Sequence, residues 1–232
     1  MKVVFNHVSK NYGTISAVKD IDFSVEPGEF LFIVGPSGAG KSTILKLILN
    51  QTQPSSGEII VDDHHLAKLE KSKIDAIRRQ IGVIFQDYQL IPDKTIEENV
   101  ALALDINNFD RSSTAEKIEN VIKQVNLNNR RHLFPSQLSG GELQRASLAR
   151  ALSVDPKIIL ADEPTGNLDL ENSWNLIKLL KDVNEKLGTT IIMTTHNLDI
   201  VKSLDKRIIT VSNGEIISDT NKPKPHTHSK KK

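Results

Sequence analysis

Residues 35–42, with the sequence GPSGAGKS, follow the phosphate-loop pattern G-x-x-x-x-G-K-[ST]. The apolar run before them, residues 30–34, predicts a strand buried on both faces, and residues 43–49 after them show a helical pattern. Glycines let backbone N–H groups turn toward a phosphate, and the following helix adds the positive end of its dipole. A plain glycine turn is the alternative, but the pattern fixes four positions in order. The segment therefore predicts an α/β core that binds nucleotide phosphates.

Within this segment two side chains have distinct expected roles. Lys41 is expected to reach the β- and γ-phosphates of a nucleotide, and the Ser42 hydroxyl is expected to bind Mg²⁺. The predicted nucleotide-binding residues are Gly35, Pro36, Ser37, Gly38, Ala39, Gly40, Lys41, Ser42 and Thr43.

Two adjacent carboxylates follow the apolar run at residues 158–161. At the carboxyl end of a strand in an open α/β sheet, side chains face the ligand crevice. Asp162 suits Mg²⁺, directly or through water, and Glu163 can then orient or deprotonate an attacking water. A solvated strand end is the usual interpretation of such a pair. The presence of the phosphate loop makes a catalytic role the better interpretation here. The pair predicts a hydrolase.

A second glycine pair stands at residues 140–141. Ser139 and Glu142 have the S-x-x-E spacing of a capping box, which indicates the start of a helix. Two glycines just inside a helix are unfavourable for helix formation. They make sense if a phosphate approaches the helix N-terminus closely, although a well-capped helix start remains the alternative.

Periodicity indicates further elements of an α/β core interrupted by helices. Strand-like runs occupy residues 18–25, 57–61, 81–85, 158–161, 190–194 and 207–211. From about 95 to 151 the pattern is mainly helical, with a polar interruption at residues 107–114. Residues 221–232 hold Pro, His and Lys without an apolar residue, so a disordered tail is expected there.

The order of these motifs resembles that of the ATP-binding cassette (ABC) ATPases over about residues 3 to 219. The motifs are residues 35–42, Gln86, residues 138–145, residues 158–163, residues 166–169 and His196. The resemblance implies a P-loop NTPase (ABC ATPase) fold, with a RecA-like α/β core, an antiparallel β subdomain and an inserted helical subdomain. It places the ABC ATPase domain at 1–220, with the core at about 1–86 and 156–220 and the helical subdomain at about 87–155.

The resemblance also implies roles for individual residues. In this family two subunits bind ATP head to tail, so Ser139, Gly140, Gly141 and Asp169 would act on the nucleotide held by the partner subunit. The family positions in the same subunit are Tyr12 on the adenine, Gln86 as a Mg²⁺ sensor with a catalytic role, and His196 on the γ-phosphate. Taken alone, Tyr12 would be a packing residue and His196 a structural histidine.

The sequence at residues 86–101, 161–169 and 195–201 is similar to that of a cell-division branch of the family. That branch works with an integral membrane subunit, which implies an ATP-driven signal that activates cell-wall hydrolysis. The branches that release lipoproteins or export macrolides share most of these sequence motifs and remain an alternative. Residues 86–95 are expected to take up a helix of the membrane subunit. Leu90 and Ile91 would either form the socket or pack inside the helical subdomain.

Composition narrows the remaining classes. With 30 Lys+Arg against 29 Asp+Glu the formal net charge is +1, and no basic stripe occurs before the tail, so nucleic acid is not an expected partner. A soluble ABC protein that acts on nucleic acid or ribosomes would need a second cassette or a coiled-coil insertion, and a nucleotide-gated scaffold with negligible turnover is a third possibility. The chain has no cysteine, no early apolar signal stretch and no run near the roughly 20 apolar residues of a membrane span. A peripheral position on the cytoplasmic face of the membrane, through the partner, is expected.

Overall fold

The computed structural model describes residues 1–107 and 109–221. Its strands are β1 (Val3–Tyr12), β2 (Ile15–Val25), β3 (Phe30–Val34), β4 (Ser56–Val61), β5 (His64–His65), β6 (Ile81–Ile84), β7 (Ile158–Asp162), β8 (Thr190–Thr195), β9 (Arg207–Ser212) and β10 (Glu215–Asp219). Its α-helices are α1 (Lys41–Ile48), α2 (Lys71–Arg78), α3 (Ile96–Ile106), α4 (Arg111–Gln124), α5 (Gly140–Leu152), α6 (Leu170–Leu187) and α7 (Leu198–Lys202). The tail predicted at residues 221–232 lies outside the described residues, except for Asn221.

A six-stranded sheet with the order β10-β9-β3-β8-β7-β6 forms the centre of the molecule. Five of the strands run parallel, and β10 pairs with β9 antiparallel at one edge. Every residue of β3 and of β8 is buried. Parallel strands covered on both faces read as continuous apolar runs, which is why the pattern of residues 30–34 predicted the strand correctly.

A second, antiparallel sheet has the order β2-β1-β4-β5. In β2 the buried residues Val18, Ile21, Phe23 and Val25 face a core cluster that also includes apolar residues of α1 and the central sheet. This sheet is the antiparallel β subdomain that the resemblance implied. The fold class is therefore confirmed: a mixed α/β cassette with two sheets.

Helices α3, α4 and α5 pack against one another and against the central sheet in a second apolar cluster. Capping boxes start two of them, Thr95 with Glu98 at α3 and Ser139 with Glu142 at α5. The break between α3 and α4 is shorter than the predicted interruption at 107–114, because α3 ends at Ile106 and α4 begins at Arg111. Among the described residues, no helix has both the length and the apolar character to cross a bilayer.

Candidate functional site

Three neighbouring strands of the central sheet end at the same edge. The phosphate loop follows β3, Glu163 follows β7, and His196 follows β8. These strands are adjacent in the order β3-β8-β7, and the carboxyl ends of parallel strands form the usual ligand crevice of such sheets. Residues far apart in sequence are therefore brought to one place.

A cleft of about 690 Å³ opens at this edge. It is lined by Ile15, Ser16, Ala17, Pro36, Ser37, Gly38, Ala39, Gly40, Lys41, Ser42, Thr43, Gln86, Glu163 and His196. All but the first three were predicted as site residues. Ile15, Ser16 and Ala17 start β2, and no local pattern marks them, because their place in the cleft depends on how the two sheets pack.

The backbone of the loop needs glycine at two positions. At Gly35 a Cβ atom would lie 2.1 Å from the carbonyl oxygen of Val211, and at Gly40 it would lie 2.4 Å from the carbonyl oxygen of Ala17. Gly40 also has a φ of 106°, which side chains rarely allow. The loop is thus held against β9 and β2 at distances that only glycine permits.

Lys41 is only 5% exposed, and its ammonium group points back into the loop. Nζ donates hydrogen bonds to the carbonyl oxygens of Gly35 (2.9 Å) and Pro36 (3.1 Å) and lies 3.0 Å from Glu163 Oε1. A buried ammonium needs such partners. The loop cation and the carboxylate after β7 therefore form one electrostatic unit.

Glu163 is held firmly at the base of the cleft. Its backbone has a φ of 47°, and its N–H donates to Thr194 Oγ1 at 3.0 Å. Its Oε2 lies 2.5 Å from Nδ1 of His196. Burial alone would raise the pKa of Glu163, but the hydrogen bonds from Lys41 and His196 outweigh it and hold the pKa below its usual value. The carboxylate is ionised at neutral pH, as a base or a water-orienting group must be.

Asp162 meets two hydroxyl groups. Its Oδ1 accepts hydrogen bonds from Ser42 Oγ (2.9 Å) and Thr194 Oγ1 (2.7 Å). The side-chain atoms that meet here are all oxygens, which are the ligands that Mg²⁺ prefers. Ser42, Asp162 and the nearby Gln86 therefore fit a magnesium site, and Thr194 is an oxygen-bearing neighbour that was not predicted.

Gln86 connects the cleft to the segment after Glu163. Its Nε2 donates to Asn167 Oδ1 at 3.3 Å, and Asn167 Nδ2 donates back to the carbonyl oxygen of Gln86 at 3.1 Å. A Cβ atom at Gly166 would lie 2.9 Å from Gln86 Nε2, so glycine leaves room for this contact. A movement of Gln86 would therefore reach the residues that follow Glu163.

The second glycine pair lies at the capped start of α5 and does not line the cleft. Ser139 Oγ accepts from the Glu142 N–H, and a Cβ atom at Gly141 would lie 2.3 Å from Asn172 Oδ1. Asp169 caps α6 by accepting from the Asn172 N–H at 2.8 Å. Contact of Ser139, Gly140, Gly141 and Asp169 with a nucleotide on another subunit stays a prediction.

Tyr12 ends β1 and pairs in register with Ile15, which does line the cleft. Tyr12 is 44% exposed, and Lys10 Nζ lies 4.9 Å from the centroid of its ring. The ring is thus on the surface near the cleft, and its stacking on adenine stays a prediction.

The cap of α5 makes stability depend on pH. Hydrogen bonds from Arg130 (Nε to Oε1, 2.8 Å) and the Ser139 N–H lower the pKa of Glu142 to about 2. The folded pKa is below the unfolded one, so the stabilisation is complete above about pH 4.5 and is lost as pH falls toward 2.

Glu142→Gln keeps a capping side chain but no charge, so it is expected to lower the free energy of unfolding by about 0.5–1 kcal/mol at pH 7.

Urea unfolding of wild type and Glu142→Gln at pH 7, and at steps between pH 5 and 3, measures this effect. The difference between the two proteins should shrink as the pH falls. A difference that stays constant over this range would contradict the assigned ionisation.

Sequence comparison relates the chain to known proteins over most of its length. The profile of a family described as ABC transporter matches residues 18–166. The cell division ATP-binding protein FtsE of Bacillus subtilis (strain 168) is 43% identical over 205 residues, covering 88% of this chain and 90% of that protein. FtsE of Streptococcus pneumoniae serotype 2 is 42% identical over 215 residues and covers 93% of both proteins.

Structural comparison gives a similar result. The dimeric ATP-binding cassette MJ0796 in a post-hydrolysis state, bound to ADP and Pi, superposes with a TM-score of 0.86 at 35% sequence identity. The match covers 94% of this chain and 97% of MJ0796.

Proposed function

The chain belongs to the ABC transporter ATPase family, and on that basis we propose that it is the ATP-hydrolysing subunit of a cell-division complex of the FtsE–FtsX type. The observation that carries this proposal is the cleft, where an ionised Glu163 meets the phosphate-loop Lys41 and His196. Similarity to FtsE proteins over about nine tenths of the chain supports the division role.

The reaction is the conversion of ATP and water to ADP and phosphate. We propose that residues 35–43, through the backbone N–H groups of all positions but Pro36, and the Lys41 ammonium hold the phosphates. Glu163 accepts a hydrogen bond from the attacking water and takes its proton as the water oxygen bonds to the γ-phosphorus, while the bond from that phosphorus to the bridging oxygen breaks and the oxygen leaves with ADP. His196 contacts the γ-phosphate, and Tyr12 stacks on the adenine.

The proposed Mg²⁺ site lies in the same subunit as the phosphate loop. Ser42 and Asp162 would hold Mg²⁺, with Gln86 beside them, and the oxygen donor set supports this choice. When bound at these residues, Mg²⁺ would supply positive charge to offset the charge that develops on the phosphate oxygens.

A second copy of the chain supplies the rest of the proposed site. Ser139, Gly140, Gly141 and Asp169 would contact the nucleotide of the partner subunit, so ATP would join two subunits and hydrolysis would part them. The dimeric MJ0796 cassette, 35% identical to this chain, supports the association of two subunits.

The conformational change of this cycle would act on the membrane subunit. We propose that it is FtsX-like, that it contacts residues 86–95, and that it holds the chain at the cytoplasmic face of the membrane. The signal would activate peptidoglycan hydrolysis. Residues 1–86 and 156–220 would then form the core, and residues 87–155 the helical subdomain that moves with the partner. Leu90 is half-buried and packs against the apolar core, which supports the packing alternative for this residue.

Purification of the chain from its own membranes in mild detergent tests the proposal. An FtsX-like membrane protein should co-purify in stoichiometric amount, and the complex should release phosphate from ATP. A permease together with a substrate-capturing component, or an exporter of lipoproteins or macrolides, would contradict the division role. Stimulation of turnover by nucleic acid or ribosomes without any membrane protein would contradict the membrane role.

A further inference from the structure

The start of helix α5 presents hydrogen-bond donors to an anion that approaches it. Gly140 and Gly141 are the first two helical residues after the cap Ser139, and N–H groups at such positions have no partner within the helix. The helix dipole adds partial positive charge at the same place. In the proposed function, this surface meets the γ-phosphate of the nucleotide on the other subunit. It therefore has to accept a highly charged anion.

An anion of the chain itself already uses the donors of the cap. Glu142 Oε2 accepts hydrogen bonds from the Ser139 N–H and from Ser139 Oγ, both at 2.9 Å. The Glu142 side chain is only 19% exposed, so water screens its charge incompletely. An arriving phosphate would compete with this carboxylate for the Ser139 hydroxyl hydrogen, and it would also meet a negative charge behind that hydroxyl.

Arg130 offsets this negative charge. Its Nε donates to Glu142 Oε1 at 2.8 Å, on the carboxylate oxygen that Ser139 does not use. The hydrogen bond from Arg130 and those from Ser139 lower the pKa of Glu142 to about 2. The carboxylate therefore stays ionised at neutral pH and cannot avoid the repulsion by taking up a proton. Its compensation has to come from the arginine.

The backbone places Arg130 for this contact. Arg130 ends a single 3₁₀ turn, Asn128–Arg130, and its N–H donates to the Leu127 carbonyl at 2.8 Å. Leu127 is buried in the apolar cluster of the helices. The Arg130 side chain is 50% exposed, and ion pairs with such exposure add only modestly to stability. A role in folding is therefore an incomplete explanation of this arginine.

The next residue in the chain, Arg131, makes a different contact. Its Nη2 lies 2.6 Å from Glu97 Oε1, and its Nε donates to Glu97 Oε2 at 3.1 Å. Glu97 belongs to the first turn of α3 and not to the glycine pair. The two neighbouring arginines thus carry the same charge but pair with carboxylates of different helices, which makes Arg131 a matched control for Arg130.

We propose that Arg130 is a positioning residue for the contact between two subunits: it neutralises the Glu142 carboxylate, so that Ser139 and the glycine pair can receive the γ-phosphate of the nucleotide on the other subunit. Arg130 acts through Glu142 and does not itself touch the nucleotide. The inference rests on the proposed function, because the arriving anion is the phosphate of that function. It adds a residue that lies outside every motif from which the site was predicted.

ATP-driven association of two subunits tests this role. All proteins in the test carry Glu163→Gln, which we expect to block cleavage, and the protein with this change alone is the parent. Light scattering at increasing ATP concentration, with Mg²⁺, gives the concentration at which half of the protein is dimeric. Arg130→Met keeps a long side chain without charge and should raise this concentration at least about tenfold, because it leaves a carboxylate uncompensated beside the phosphate. Arg131→Met should stay within about threefold of the parent.

A double variant, Arg130→Met with Glu142→Gln, separates charge compensation from a structural role. If Arg130 acts by offsetting the carboxylate, the arginine is dispensable once that carboxylate is gone, and the double variant should return to within about threefold of the parent. If Arg130 supports only the fold of α5, or binds the phosphate directly, Glu142→Gln cannot restore association. A double variant as impaired as Arg130→Met would therefore overturn the inference. Thermal unfolding without nucleotide checks that each variant is folded.

The outcomes also separate this inference from the function on which it rests. If the parent forms an ATP-dependent dimer and Arg130→Met associates equally well, Arg130 has no such role and only the inference is wrong. If the parent forms no dimer at any ATP concentration, the two-subunit part of the proposed function is wrong, and the role of Arg130 is wrong with it.

Discussion

Glu163→Gln is expected to lower ATP turnover by about 10²- to 10⁴-fold, the usual contribution of a general base, while ATP binding is retained. The amide keeps the size of the side chain but cannot take a proton from water. Lys41 and the loop N–H groups, which we assign to phosphate binding, are unchanged. With binding intact and cleavage blocked, the variant should accumulate as an ATP-bound dimer.

Steady-state phosphate release, a nucleotide-binding titration and gel filtration with ATP and Mg²⁺ measure these three properties. Glu171→Gln is a suitable control, because Glu171 is exposed on α6 and does not line the cleft. Turnover at the wild-type rate in Glu163→Gln would refute the assignment of the base.

Lys41→Ala is expected to weaken ATP binding by at least about 100-fold, since charge-assisted hydrogen bonds to phosphate are among the strongest in proteins. The substitution also removes the ion pair with Glu163 and the bonds to the Gly35 and Pro36 carbonyls. Turnover should then be undetectable at ATP concentrations that saturate the wild type.

Lys46→Ala is the matched control, because Lys46 is exposed in the last turn of the same helix α1. Isothermal titration with ATP should give a wild-type affinity for this control. Thermal unfolding of Lys41→Ala separates lost binding from lost folding. A folded Lys41→Ala protein with wild-type affinity would show that the loop does not hold the nucleotide through this lysine.

Much of the fold was predictable because its signals are local. The phosphate loop carries its own pattern, and the strands before it and at residues 158–161 are continuous apolar runs. The start of α5 follows from the Ser139 and Glu142 spacing, which the structure confirms as a capping box. Each of these features depends on a few neighbouring residues.

Strand β1 was not predicted, and its pairing explains why. Shifts in its register with β2 fall between Phe5 and Val8 and again between Val8 and Lys10. Each bulge breaks the alternation of buried and exposed residues that predicts a strand. Helix α6 was not predicted either, although its signal is present: Asp169 caps it and Gly188 ends it in a left-handed conformation.

The contacts of the site that join segments distant in sequence could be identified only from the structure. The hydrogen bond from Thr194 to Asp162 joins two strands, and the bonds from Arg150 to Tyr88 and Gln89 join a helix to a loop more than 60 positions earlier. No local pattern encodes such pairs, because they arise from the order of strands and the packing of helices.

The strand order has a consequence for how the chain is made. The strand β3 lies between β8 and β9, and the partner of Phe30 in β8, Ile191, follows about 160 residues later. Translation at about 5–20 residues per second therefore leaves β3 without either neighbour for roughly 10 to 30 s. During that time a fully apolar strand belongs to a nascent chain whose central sheet cannot close. The interval leaves this apolar strand open to misassociation in the emerging polypeptide, and a product truncated before β8 lacks Thr194 and His196 at the catalytic edge.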